Sequence, residues 1–152
     1  MEQEKQKTEE ELAAKIMEYS RDELMISMRF LDRALFRMPL VAADSVAAFG
    51  VDGATMYYNP EYVLHAFKKE KNACTRAFLH MILHCIFSHP FQYEKMDREC
   101  WDLATDLAVE QSILDLNLKC VELERDASLK RTLSHLAQKV PILTAEKIYR
   151  WL

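Results

Sequence analysis

The sequence predicts an α+β domain that is mostly helical and carries one small β-hairpin. Half of its 152 residues are hydrophobic, but only two are glycine and four are proline, which is typical of helical domains rather than sandwiches or barrels. Apolar residues recur at helical spacing along most of the chain, and one pair of short β-type runs flanks an Asp-Gly turn. The length suits one domain with its own core, so residues 1–152 are interpreted as a single unit.

The N-terminal part is predicted to be one long helix after a flexible start. Residues 1–10 are nearly all polar or charged, which favours a frayed terminus. From Leu12 to about Met38 the spacing indicates a helix that Pro39 ends. Its apolar face consists of Leu24, Met28, Leu31, Leu35 and Met38.

The next segment contains the strand signal. The runs 46–51 and 54–58 flank Asp52-Gly53, and Asp-Gly between two such runs predicts a tight hairpin turn with positive φ. Asn59-Pro60 then starts a helix with proline at its first position. Further helices are predicted at about 60–71, 73–88, 98–116 and 123–138, and a last short one after an N-cap at Thr144. Because the chain stops within that amphipathic helix, we expect it to be a fragment of a longer protein.

Charge and composition exclude several classes of function. The net charge of −4 gives no field that favours nucleic acid or an anionic membrane, and no apolar run reaches membrane-spanning length. The polar N-terminus does not resemble a signal peptide, so we expect a cytoplasmic protein. The four cysteines form no Cys-x-x-Cys pair and are interpreted as reduced, small apolar residues.

The helix predicted at 73–88 is the candidate for chemistry. It is apolar on almost every side, which predicts burial, yet its polar residues recur every four positions as one stripe. The stripe consists of Arg76, His80, His84 and Ser88. Two histidines at i and i+4 place both imidazoles on one face, where two ring nitrogens reach one zinc ion. The alternative is a pair of core histidines satisfied by hydrogen bonds.

A zinc site needs a third protein ligand, and two positions are candidates. His89 lies off the stripe, but a helix break before Pro90 could turn its ring back. The next helix carries Asp102, Asp106 and Glu110 at spacings of four. Asp106 is slightly favoured over His89, because a facing helix can present a carboxylate across the stripe, whereas His89 lies well around the helix from His84. The alternatives are a surface histidine in a turn and a solvated acidic face whose first turn suits the helix dipole.

Several segments together resemble a known family. They are, in order, 29–34, 51–61, His80-Met-Ile-Leu-His84 with His89, Trp101-Asp-Leu-Ala-Thr-Asp106 and 144–149. They resemble the bacterial metallopeptidase domain that precedes a von Willebrand factor type A-like domain, from about residue 20 onward. The resemblance implies a zincin-like fold with a hairpin strand beside the metal helix. It also implies a C-terminal von Willebrand-like module absent from this chain and a MoxR-type ATPase as partner.

The resemblance also assigns residues. His80 and His84 match zinc ligands, and His89 and Asp106 match the family's later histidine and aspartate. Met81 departs from the family, because it replaces the glutamate that acts as general base, and Asp102 stands where asparagine is expected. The prediction is therefore a zinc-binding, zincin-like domain that is weak or inactive as a peptidase and serves as a binding or scaffold module for a peptide or protein. The alternatives are an active metallohydrolase with a displaced base and a structural helical domain without metal.

Overall fold

The computed structural model describes residues 1–92 and 94–152, and the side chains of all of these except residues 2 and 3. Within this part of the chain the fold is mostly helical with one small sheet, so the predicted α+β class is confirmed. In chain order the elements are α1 (Glu2–Ser27), α2 (Asp32–Arg37), β1 (Leu40–Ala42), β2 (Phe49–Val51), β3 (Met56–Tyr58), α3 (Pro60–Lys69), α4 (Ala73–Ile86), α5 (Arg98–Leu116), α6 (Asp126–Ala137) and α7 (Ala145–Trp151).

The long N-terminal helix is interrupted, which the sequence pattern did not predict. Met28 leaves helical geometry at φ −134° and ψ 65°, and a 3-10 turn at 29–31 leads into α2. The apolar face nevertheless stays turned inward across the break, since Leu24 and Leu35 are both fully buried. Residues 2–10, expected to be frayed, lie in the first turns of α1.

The hairpin prediction is confirmed, and a third strand extends it. Strands β2 and β3 pair antiparallel around Asp52-Gly53, while β1 pairs parallel to β3, giving the strand order β1-β3-β2. The turn is held by Asp52 Oδ1, which accepts from the backbone N–H groups of Ala54 (2.9 Å) and Thr55 (2.7 Å). Gly53 has φ +92°, the positive φ that the turn requires.

Replacing Gly53 with alanine should destabilise the domain. A side chain at this φ costs about 1–2 kcal/mol, and a Cβ there would lie 2.4 Å from Phe91 Cζ, so that ring would have to move. We expect the free energy of unfolding, measured by urea titration, to fall by about that amount. Gly50→Ala is the control, because its Cβ would make only an ordinary 3.5 Å contact with Val46 Cγ1. Equal losses in the two variants would contradict this account of the turn.

The core has two parts. The larger part includes Phe78, Leu79 and Ile82 of α4, packed among buried residues of α1, α3 and the sheet. The smaller part joins Trp101 of α5 to Ile148 of α7. Val109 and Ile113 of α5 also belong to the larger part, so α4 and α5 share this core, and their polar stripes meet beside it.

Local capping explains several helix boundaries. Asn59 Oδ1 accepts from the N–H of Tyr62 at 3.1 Å, and Thr144 Oγ1 accepts from the N–H of Lys147 at 3.4 Å, so the predicted N-terminal caps of α3 and α7 are confirmed. Helix α5 begins and ends at the predicted residues.

The cysteines are unpaired in the described part of the chain, and burial raises the pKa of Cys74 to about 11. None of the described helices has both the length and the apolar character needed to cross a membrane.

Candidate metal centre

The site lies where the polar stripes of α4 and α5 meet. Arg76 contacts Glu110, His80 contacts both Glu110 and Asp106, and His84 contacts Asp106. Residues closer to the C-terminus of α4 therefore contact residues closer to the N-terminus of α5, so the two helices run antiparallel across the site. The spacing of four on both helices, noted in the sequence, brings these five side chains into one row.

Three donor atoms converge at the centre of this row. His80 Nε2 and His84 Nε2 lie 2.9 Å apart, and Asp106 Oδ1 lies 3.3 Å from the first and 3.1 Å from the second. Ligands bound at 2.0–2.1 Å with tetrahedral angles are separated by about 3.3 Å. The three atoms are thus spaced as the ligands of one small divalent ion would be, and the residues fit a metal.

The hydrogen bonds around the cluster decide which ring nitrogens carry lone pairs. Burial opposes ionisation of Glu110, but hydrogen bonds from His80 and Arg76 outweigh it and lower its pKa to about 2. Since this carboxylate only accepts, His80 Nδ1 must donate to Glu110 Oε1 at 2.8 Å. His80 Nε2 then carries the lone pair in the neutral ring, and it donates to Asp106 when the ring is protonated.

The electrostatics of the cluster favour a positive charge between its converging atoms. Burial lowers the pKa of His80, but its hydrogen bonds to Asp106 and Glu110 raise it more, so its net pKa is raised. Burial likewise opposes ionisation of Asp106, yet hydrogen bonds from His80 and His84 hold its pKa well below the usual range. A proton or a metal ion at this point relieves the same repulsion, because both are cations facing a carboxylate.

His89 lies on the other side of His84. Helix α4 ends at Ile86, and Ser88 adopts the left-handed conformation at φ 59°, which turns the chain back as anticipated from the sequence. His89 Nδ1 lies 3.1 Å from His84 Nδ1, whereas His84 uses Nε2 to meet Asp106. Burial and the neighbouring His84 lower the pKa of His89 to about 4, so its ring is neutral at pH 7.

Two clefts open on either side of the cluster. One, of about 970 Å³, is bordered by His80, Glu110 and Arg125, and the other, of about 680 Å³, by strand β2, His84 and His89. Met81 and Asp106 border both clefts. The Asp106 side chain is 57% exposed, so the centre can be reached from solvent.

The other residues singled out from the sequence lie outside the cluster. Asp102 is exposed, with its carboxylate 3.9 Å from Arg98 Nε, and it borders the second cleft. His65 and His135 are exposed on α3 and α6. The contact of Glu110 with Arg76 and His80 was not predicted from the sequence, although both stripes that form it are visible there as spacings of four.

The sequence model of the family described as "Putative metallopeptidase domain" matches residues 15–152. No curated protein and no solved structure matches the chain.

Proposed function

Because the chain belongs to the family described as "Putative metallopeptidase domain", we propose that it is a zincin-like domain that binds one zinc ion through His80, His84 and Asp106. The observation that carries this proposal is the convergence of two imidazole nitrogens and one carboxylate oxygen within 4.8 Å. Two imidazoles and a carboxylate form a ligand set that suits zinc. In this proposal His89 is not a ligand. It instead contacts Nδ1 of His84 and holds that ring on the side away from the metal.

The surroundings favour an open site over a closed structural one. Structural zinc sites use four protein ligands, whereas sites that act on a ligand use three and leave one position free. Here three donors converge, and the half-exposed Asp106 places the centre beside two clefts. A zinc ion held there would polarise a carbonyl group of a bound ligand and lower the pKa of a water molecule.

We propose further that the domain is weak or inactive as a peptidase. Met81 follows the first histidine and borders both clefts, so a thioether takes the place of a proton-exchanging carboxylate. Glu110 is no substitute, because its two oxygens are already engaged by His80 and Arg76. General acid–base catalysis contributes about 10²–10⁴-fold to a rate, and the chain would forgo that factor.

A binding or scaffold role follows if hydrolysis is weak. Strand β2 is an edge of the sheet, and residues 49–52 line the same cleft as His84 and Asp106. An extended peptide that paired with this edge would occupy the cleft that His84 and Asp106 border. The ligand we propose is therefore a peptide or an extended protein segment with a carbonyl group at the zinc.

One observation favours an active hydrolase as the second candidate. Asp102 borders the cleft of His84, and its side chain is 65% exposed, so it is free to take a proton from water. Chelator-sensitive cleavage of unstructured peptides that is lost in Asp102→Asn would favour this alternative over a scaffold.

The partners are proposed from the family resemblance. A von Willebrand-like module in the same full-length protein and a MoxR-type ATPase would use this domain to present a peptide segment. Co-purification of the full-length protein with such an ATPase, and its loss when this domain is deleted, would support the assembly.

The ligand set is tested with a matched pair of aspartate variants. Asp106→Asn removes the anionic donor from the cluster, while Asp102→Asn removes the same charge one turn earlier on α5. We expect zinc affinity, measured by competition with a chromogenic chelator, to fall at least tenfold in the first variant and to stay near the parent value in the second. Equal affinity in the parent and Asp106→Asn would reject the proposed ligand, and absence of zinc binding by the parent would reject the site.

A further inference from the structure

Glu110 connects the candidate ligand His80 to a buried arginine. Its Oε1 accepts from His80 Nδ1 at 2.8 Å, and its Oε2 accepts from Arg76 Nη2 at 2.6 Å. The residue is only 7% exposed. Because both carboxylate oxygens are engaged and the residue is buried, the Glu110 side chain has little freedom to rotate. It therefore holds the His80 ring at Nδ1, the side away from the cluster.

Arg76 is itself fixed by the segment that precedes and begins α6. It is 2% exposed, and its Nη1 donates to the carbonyl of Val121 at 2.9 Å and to Asp126 Oδ2 at 3.3 Å. Asp126 Oδ2 in turn accepts from the N–H of Leu123 at 3.0 Å. The guanidinium therefore joins α4, α5 and the start of α6 behind the ring of His80.

Stability alone is a poor explanation for this arrangement. Burying an arginine and a carboxylate removes both from water, and an apolar pair of similar size often stabilises a protein at least as well. The charged pair instead contacts the Nδ1 side of the His80 imidazole, whose Nε2 side faces the cluster. This geometry suits a role in positioning the His80 ring.

We infer that Glu110 is a positioning residue for the metal centre, and that Arg76 holds it in place. Glu110 fixes the proton of His80 on Nδ1, so that Nε2 is free to bind, and its charge makes the ring a stronger donor. The inference rests on the proposed zinc site. It adds two residues whose side chains do not touch the ion but determine how tightly it binds.

The test is Glu110→Gln, with Glu124→Gln as the matched control. Glutamine keeps an oxygen for the His80 N–H but removes the charge, whereas Glu124 is exposed at the same cleft and contacts neither histidine nor arginine in the described structure. We expect zinc affinity, measured by chelator competition, to fall about 10–100-fold in Glu110→Gln and to stay unchanged in the control. The visible absorption bands of the cobalt-substituted protein should also shift in the first variant alone, which a merely structural role would not produce.

A second variant covers the risk that Arg76 impairs folding once Glu110 no longer pairs with it. Arg76→Gln combined with Glu110→Gln removes the arginine together with the carboxylate that links it to His80, while Asp126 keeps the N–H of Leu123 as a partner, and circular dichroism would establish that the double variant folds. The double variant should show the same weakened zinc binding and the same cobalt shift. If either folded variant bound zinc as tightly as the parent, the inference would be overturned while the zinc site stood. If the parent bound no zinc, both the inference and the proposed zinc site would be rejected.

Discussion

Zinc should stabilise this domain strongly, and His84→Ala should abolish that effect. An ion that binds only the folded chain adds about 4 kcal/mol to the free energy of unfolding when its free concentration is 1,000 times its dissociation constant. The donors come from two helices, at positions 80, 84 and 106, so the unfolded chain does not bring them together. Calorimetry with and without zinc measures the shift in the thermal midpoint directly.

The control for this experiment is another histidine. His135 is exposed on α6, outside the cluster, so His135→Ala should keep the full zinc-dependent shift. His84→Ala should lose it, because only one imidazole and one carboxylate remain. A shift of equal size in His84→Ala would mean that zinc stabilises the chain at some other place. The absence of any shift in the parent would favour a helical domain without metal.

Much of the fold could be predicted because its signals are local. The bounds of α5, the caps at Asn59 and Thr144 and the hairpin turn at Asp52-Gly53 each depend on residues within a few positions of one another. The i, i+4 histidine pair is also local, since helical geometry alone places both rings on one face. These features followed from spacing, and the structure confirms their placement.

The features that were missed depend on distant contacts. Strand β1 exists because residues 40–42 pair with residues 56–58, and no local pattern indicates that pairing. The break at Met28 was hidden because the buried face continues across it through Leu35. The position of Glu110 depends on Arg76, 34 positions away. Such conformations are determined by tertiary packing, which overrides the local secondary-structure propensity.

The arrangement of the metal ligands and the chemistry at position 81 also depend on different parts of the sequence. The histidine spacing and the facing aspartate would hold a metal whatever occupies position 81. The residue at 81 would decide what happens to a water molecule at that metal. Because Met81 borders both clefts, a polar side chain of similar length at this position would still reach solvent.

Met81→Glu should therefore convert the domain into a measurable zinc-dependent peptidase. A carboxylate beside the centre would take a proton from water and return it to the leaving amine, a contribution of about 10²–10⁴-fold to the rate. The assay compares the release of fluorescent fragments from unstructured peptides by the parent and the variant, with zinc and with chelator. We expect little cleavage by the parent and chelator-sensitive cleavage by the variant.

Met81→Gln separates the chemistry of the new group from its shape. Glutamine has nearly the same size as glutamate and can orient water, but its amide exchanges no proton at neutral pH. If Met81→Glu gains activity and Met81→Gln does not, the gain comes from a general base placed in an intact metal geometry. Equal activity in both variants would show that opening space at position 81 is what matters. Strong chelator-sensitive cleavage by the parent would instead show that another group already acts as the base, and Asp102 would be the first residue to replace.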